Sequence, residues 1–143
     1  MQRNRQIRIL GYDMTITNMK AVFQCDVQKV WHIVTSLESY SWRSDINRIE
    51  ILNETRFVEY TKDGYATTFT ITAIEPCKCL EFDMENNNMK GHWIGLFSQN
   101  GRETTIDFTE CVTVKKLLMK PFVKGYLKKQ QLRYVADLEK ALL

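Results

Sequence analysis

The sequence predicts an α+β domain in which a long C-terminal helix covers one face of an antiparallel sheet. Residues 45–114 alternate between apolar and polar side chains and are rich in β-branched and aromatic residues, as half-buried strands are. The dipeptides Asp63-Gly64 and Asn100-Gly101 are strong hairpin signals and join neighbouring segments of this region. From about residue 120, apolar side chains recur at helical spacing to the C-terminus.

The length and composition of the chain are those of one globular domain. It has 143 residues, of which 44% are hydrophobic and 26% are charged, and its formal net charge is +3. A chain of this length buries roughly 68–70% of its unfolded surface, which is enough for a core without metal or disulfide cross-links. The small net charge and the lack of a long apolar run predict no nucleic-acid partner and no stable membrane insertion. The sequence predicts a cytoplasmic location and does not predict a homo-oligomer.

Residues 1–17 are expected to form an N-terminal extension, and residues 18–143 the folded domain. The extension carries Arg3, Arg5 and Arg8 but almost no serine. A short leader is therefore favoured over a targeting peptide, and no secretory signal is recognised.

The four cysteines are expected to be free thiols in a reducing compartment. The pair Cys77 and Cys79, with one residue between them, could suggest a metal site. A structural zinc ion needs four ligands, and the two histidines, His32 and His92, fall in different elements. We therefore predict no metal site and no cofactor.

The chain is expected to begin its fold with a strand and a short helix. Residues 19–25 alternate between apolar and polar side chains, which predicts the strand. Asp26 occupies a favourable N-cap position before a helix predicted over residues 27–36. The turn-rich segment 36–45 is expected to contain a second helical turn.

Six further strands are predicted, separated by turn signals. Pro76 ends one of them, because proline cannot donate to a strand ladder, and the run Asn86 to Asn88 marks a loop. The strands cover residues 46–53, 56–60, 65–75, 79–86, 91–99 and 103–114.

A two-residue turn at Asn100-Gly101 would fix the faces of the last two strands. It places Trp93 opposite Phe108 on an apolar face, with His92 on the other face. Because one face is apolar, another element must cover it, and the C-terminal helix is the only one large enough.

A two-residue turn at Asp63-Gly64 would set the register of the preceding hairpin. It places Val58 opposite Phe69 and Tyr60 opposite Thr67, all on the apolar face. The alternation of the next strand adds Phe82 and Met84 to the same face.

Glu110 is expected on the apolar face between Phe108 and Val112. A carboxylate in this position is costly without a partner. Either it lies near a sheet edge and reaches water, or it is a polar group inside a cavity, and the sequence leaves both alternatives open. If the protein is an enzyme, Glu110 with Tyr126 or Tyr134 is the candidate acid and base pair.

The C-terminal helix is predicted to span about 22 residues from residue 120, where Pro121 suits the first turn. Its inward stripe includes the polar residues Tyr126, Gln130 and Tyr134. Such groups are typical of a small-molecule pocket, although in a closed core they would bond to one another or to the backbone. We interpret the lysines and arginines of the helix as its solvated face rather than as a surface for anionic lipid or nucleic acid.

Arg43 and Asp45 are expected near the mouth of any cavity. Arg43 could bind a ligand carboxylate there. A solvent-exposed pair between Arg43 and Asp45 is the alternative that we favour.

The order of the elements, the Trp31-His32-Ile33-Val34 run of the first helix, the Trp42–Asp45 segment and the long final helix resemble the START-like superfamily. The branch is called SRPBCC, or polyketide cyclase/dehydrase and lipid-transport-like, and the resemblance covers residues 18–142. It implies a helix-grip fold, in which a curved seven-stranded antiparallel sheet wraps around the C-terminal helix, with two short helices between strands 1 and 2. It also implies a hydrophobic cavity. Members bind lipids, sterols, plant hormones, polyketides or aromatic compounds, and some are cyclases or hydrolases.

We therefore predict that the chain binds a small, largely hydrophobic molecule in a cavity between sheet and helix. A cyclase or dehydrase acting in that cavity, and an interaction module with a collapsed cavity, are the alternatives. No sequence motif of a nucleophile, metalloprotease or nucleotide site is present. The predicted ligand-contact residues are Tyr60, Thr67, Phe69, Phe82, Met84, Trp93, Phe108, Glu110, Tyr126, Gln130 and Tyr134.

Overall fold

The computed structural model describes residues 14–143, which form an antiparallel sheet and two α-helices. Strand β1 (Thr15–Phe23) is followed by helix α1 (Val27–Thr35), and a 3₁₀ turn at Leu117–Met119 leads into helix α2 (Lys120–Ala141). The other strands are β2 (Ile46–Ile51), β3 (Arg56–Thr61), β4 (Ala66–Glu75), β5 (Cys79–Glu85), β6 (Met89–Asn100) and β7 (Glu103–Val114).

The seven strands form one sheet in the order β1-β7-β6-β5-β4-β3-β2, and every neighbouring pair is antiparallel. Strands β2 to β7 follow one another as hairpins, while β1 pairs with β7. Helix α2 has the predicted start and 22 residues. The α+β prediction, with seven antiparallel strands and a long C-terminal helix, is confirmed.

The segment between β1 and β2 contains one helix instead of the two expected. Residues 36–45 form separate turns, in which the Arg43 amide donates to the Tyr40 carbonyl and the Ser39 amide donates to Ser36 Oγ. Strand β1 begins at Thr15, three residues before the expected domain boundary, because β7 is long enough to pair Thr15 with Val112. The predicted leader arginines lie outside the described residues.

The β6–β7 hairpin turns one residue later than predicted. Its loop is Gly101–Arg102, and Gly101 has a φ of 61°, which glycine adopts at little cost. Trp93 therefore lies opposite Glu110 rather than opposite Phe108. The pairing is offset by two residues, so every side chain keeps its predicted face.

The β3–β4 hairpin departs from the prediction by one residue, which has a larger effect. Its loop contains three residues, 62–64, and Gly64 has a φ of 80°. As a result, Phe57 lies opposite Phe69 and Glu59 lies opposite Thr67. A one-residue offset exchanges the faces, so the predicted inward positions of Val58 and Tyr60 are wrong.

The main core lies where α1 and the end of α2 pack on the inner face of β1, β7 and β6. Val30 of α1 and Leu138 of α2 are both fully buried there. They contact a buried cluster that contains Ala21, Phe23, Leu80, Trp93, Phe97, Ile106 and Phe108. The backbone of α2 packs most closely against β1, and this arrangement leaves space beside β3, β4 and β5.

Gly95 provides room for the ring of Trp93 on the inner face of β6. A Cβ atom at Gly95 would lie 2.3 Å from Cη2 of the Trp93 ring. The indole lies flat against Phe82, with ring centroids 4.8 Å apart and planes inclined by 6°. Glycine at this position therefore allows a large aromatic side chain to lie along the sheet.

The outer surfaces agree with two further predictions. The basic side chains Lys124, Lys128, Lys129 and Arg133 are exposed, as predicted for a solvated helix face. His92 lies on the outer face of the sheet, where its ring nitrogens contact Asp83 and Glu81. As a separate point, none of the four cysteines, all of which lie within residues 14–143, forms a disulfide bond.

Candidate functional site

A cavity of about 220 Å³ lies between the inner face of the sheet and helix α2. Tyr65, Tyr126 and Ile74 line it and are 37%, 49% and 56% exposed, so the cavity reaches the surface beside them. The lining includes all but one of the predicted contact residues, namely Thr67, Phe69, Phe82, Met84, Trp93, Phe108, Glu110, Tyr126, Gln130 and Tyr134.

Tyr60 is the predicted contact residue that lies elsewhere. The register of the β3–β4 hairpin places it on the outer face, where its hydroxyl donates to Glu50 Oε2 at 3.0 Å and its ring contacts Arg48. Glu59, its neighbour in β3, lines the cavity instead. The sequence analysis did not select Glu59, because the two-residue turn that it predicts at Asp63-Gly64 would direct the Glu59 side chain to solvent.

A continuous series of six aromatic rings forms part of the cavity wall. Each ring contacts the next at a centroid distance between 4.8 and 5.9 Å. The strand register explains this series, because the pairing of β3 to β7 places the inward side chains of neighbouring strands next to one another. In order, the rings are Phe57, Phe69, Phe82, Trp93, Phe108 and Tyr134.

Arg43 is held by two carboxylates in the cavity lining. Its Nε lies 3.3 Å from Asp45 Oδ1 and its Nη1 lies 3.5 Å from Glu59 Oε2. The three side chains are only 13–18% exposed, so the predicted Arg43–Asp45 pair forms, but the prediction that it is solvent-exposed is wrong. The guanidinium also lies 5.2 Å from the ring centroid of Tyr134.

Charge and burial oppose each other in this cluster. Burial lowers the pKa of Arg43, but the two carboxylates outweigh it and the net shift is upward. Burial raises the pKa of Glu59, and Arg43 only partly offsets this effect.

Asp137 of α2 accepts hydrogen bonds from the amide and the hydroxyl of Ser44, both at 2.8 Å, and so fixes the adjacent loop against the helix.

Glu110 is a cavity residue. Its strand, β7, lies between β1 and β6, so the alternative of a sheet-edge position is wrong. Burial raises the pKa of Glu110 from 4.5 to about 7, while the Gln131 side chain and the charge of Arg43 partly oppose the shift. A carboxyl with this pKa exchanges a proton near neutral pH.

Gln131 is the buried polar residue of α2, and sequence reasoning selected Gln130 instead. Gln131 is 1% exposed, and its Nε2 donates to Thr17 Oγ1 at 2.8 Å. Its Oε1 has no hydrogen-bond partner within residues 14–143. The spacing of Leu127, Gln131 and Leu138 by four and seven residues was a signal for its inward position.

Gln130 and Tyr126 lie nearer to solvent and bond to each other. Gln130 Nε2 donates to the Tyr126 hydroxyl at 2.7 Å. The expectation that such groups satisfy one another holds for this pair. Tyr134 is more deeply placed, and burial raises its pKa well above the ordinary value.

The sequence profile of the family described as "Polyketide cyclase / dehydrase and lipid transport" matches residues 14–142. The chain belongs to this family. A search of curated proteins found no significant match. Within the described residues, no helix is long and apolar enough to cross a membrane.

Solved structures share the fold of this family member, although their sequences are only 9–16% identical to it. A START superfamily protein from Mycobacterium smegmatis is 16% identical with a TM-score of 0.77, and the match covers 88% of this chain and 95% of that one. A conserved protein from Geobacillus kaustophilus is 14% identical with a TM-score of 0.78, covering 89% and 94%. Norcoclaurine synthase from Thalictrum flavum, solved with dopamine and hydroxybenzaldehyde, is 9% identical with a TM-score of 0.72, covering 95% and 90%.

Proposed function

We propose that this family member binds a small, largely apolar molecule in the cavity between the sheet and α2. The observation that carries the proposal is a cavity of about 220 Å³ with aromatic walls and a few polar groups. Mostly apolar walls with a small number of oriented polar groups are typical of ligand sites. The space argues against an interaction module with a collapsed cavity.

The size of the cavity restricts the ligand. An apolar cavity of about 150 Å³ accommodates benzene. A cavity of about 220 Å³ therefore has room for one aromatic ring and a short side chain. Larger lipids and sterols would need the cavity to expand.

The proposal is tested by filling the cavity. Thr67 lines it, whereas Thr68, the next residue of β4, points to the other face. We expect 4-ethylphenol to give saturation-transfer NMR signals with the native protein and with Thr68→Phe, but not with Thr67→Phe. Circular dichroism checks that both variants fold. Equal signals from both variants, or none from the native protein, would contradict the proposal.

A cyclase or dehydrase activity is the second candidate, and Glu110 is the observation that favours it. Its pKa of about 7 suits a group that both accepts and donates a proton. The structural neighbour norcoclaurine synthase shows that this fold also occurs in a synthase. We expect the protein to accelerate deuterium exchange at the carbon atoms next to the carbonyl group of 4-phenyl-2-butanone. The exchange rate with Glu110→Gln should be at least about 100-fold lower than with the native protein. An unchanged rate in the variant would remove Glu110 from the chemistry.

A further inference from the structure

The charged side chains that line the cavity are mostly acidic. Arg43 is the only basic residue in the lining within residues 14–143, and it is already engaged by Asp45 and Glu59. Glu85 also lines the cavity but is paired with Lys115 at 2.8 Å. Glu110 forms no ion pair within the described part of the chain. A ligand carboxylate would therefore meet an excess of negative charge.

Gln131 meets Glu110 with a donor rather than an acceptor. The Gln131 side chain hydrogen-bonds to the Glu110 carboxyl and lowers its pKa, as an amide N–H group does. Gln131 Oε1 is fully buried without a donor among residues 14–143, so it does not face the cavity. Glu110 is therefore the acceptor that this part of the lining offers to a ligand donor.

The aromatic walls adjacent to Glu110 favour a cation as well as an apolar ring. Trp93 lies directly opposite Glu110 across the β6–β7 pair, and Phe82 stacks on Trp93. The faces of aromatic rings carry partial negative charge and attract ammonium groups. An aromatic ring of a ligand would also stack against this wall. The acidic groups and the aromatic faces select the same ligand chemistry.

We propose that the cavity selects a small aromatic amine, whose protonated nitrogen binds the Glu110 carboxylate while its ring packs against Phe82 and Trp93. This inference rests on the proposed binding function and specifies its ligand class. The ammonium group donates to the Glu110 carboxylate, and charge-assisted hydrogen bonds of this kind are stronger than neutral ones.

The first test compares three ligands that differ in one functional group. Isothermal titration calorimetry measures the binding of 2-phenylethylamine, 2-phenylethanol and phenylacetate in one buffer. We expect the amine to bind at least tenfold more tightly than the alcohol, and the acid to bind more weakly than both. If the alcohol or the acid binds as tightly as the amine, the amine preference is wrong while the binding function stands. If none of the three binds, both the preference and the proposed cavity function fail.

The second test removes the carboxylate that we place against the ligand nitrogen. Glu110→Gln is expected to weaken the binding of 2-phenylethylamine at least tenfold, and to weaken it more than it weakens the binding of 2-phenylethanol. Asp83→Asn is the matched control, since it removes one negative charge on the outer face of β5, where Asp83 contacts His92. Unchanged amine affinity in Glu110→Gln, or an equal loss in Asp83→Asn, would overturn the assignment.

Discussion

The buried carboxyl of Glu110 should make the stability of the protein fall as the pH rises from 4.5 to about 7. Burial raises the pKa of Glu110 from 4.5 to about 7 in the folded state. Below pH 4.5 the carboxyl is protonated in both folded and unfolded chains, so it contributes no difference. Between about pH 4.5 and 7 the unfolded chain ionises first, which favours unfolding, and above pH 7 the effect is constant.

The expected magnitude follows from the size of the shift. Each unit of pKa difference corresponds to about 1.36 kcal/mol. Linkage gives a destabilisation of about 0.8 kcal/mol at pH 5 and about 3.3 kcal/mol at pH 8 for a shift from 4.5 to about 7. Glu110→Gln cannot ionise, so its stability relative to the native protein should rise by about 2.5 kcal/mol over this range.

Urea denaturation of both proteins at about pH 5 and pH 8 measures this difference. Other titrating groups are present in both proteins and largely cancel. Arg43, whose charge acts on Glu110, stays protonated throughout, because its own pKa is raised. A difference between the two proteins that stays within about 0.5 kcal/mol across the range would refute the buried, proton-binding state of Glu110.

Three further predictions follow from packing and charge, each read from urea denaturation midpoints. Gly95→Ala should cost about 1–3 kcal/mol, because its Cβ would overlap the Trp93 ring. Gly125→Ala, the matched control, should stabilise the folded protein by roughly 0.5–1 kcal/mol, since the added methyl group in α2 meets no atom within 4 Å. An equal loss of stability in both variants would contradict this packing account. Arg43→Met should cost about 3–5 kcal/mol by leaving buried carboxylates uncompensated. Adding Glu59→Gln should restore part of that loss, and no recovery would show that Glu59 is not the uncompensated group.

Local patterns were sufficient to predict most of the elements. The strands alternate clearly because one face of the sheet is buried and the other is wet. Helix α2 begins where Pro121 fits the first turn, and its length agrees with the prediction. The structure of segment 36–45 was harder to predict, since Ser44 is fixed by Asp137, a residue far away in the chain. No local pattern records that contact.

The set of residues that line the cavity was only partly predictable, because it depends on the length of one hairpin loop and on the rotation of α2 about its axis. A hairpin loop of three residues instead of two moved Tyr60 out of the cavity and Glu59 into it. On α2, a change of one residue is a rotation of about 100° around the axis. That rotation buries Gln131 and leaves Gln130 nearer to solvent. Loop closure and helix rotation depend on packing against the whole sheet.

The sequence by itself determined an antiparallel sheet with one apolar face, a long helix to cover it and a carboxylate on that face. Periodicity carries this information, because side chains alternate on a strand and repeat every 3.6 residues on a helix. Only the tertiary structure decided that Arg43 is already held by Asp45 and Glu59, and that Glu110 lies in the cavity lining without an ion pair among residues 14–143. These facts depend on distances between residues far apart in the chain, and they decide which ligands the cavity can accept.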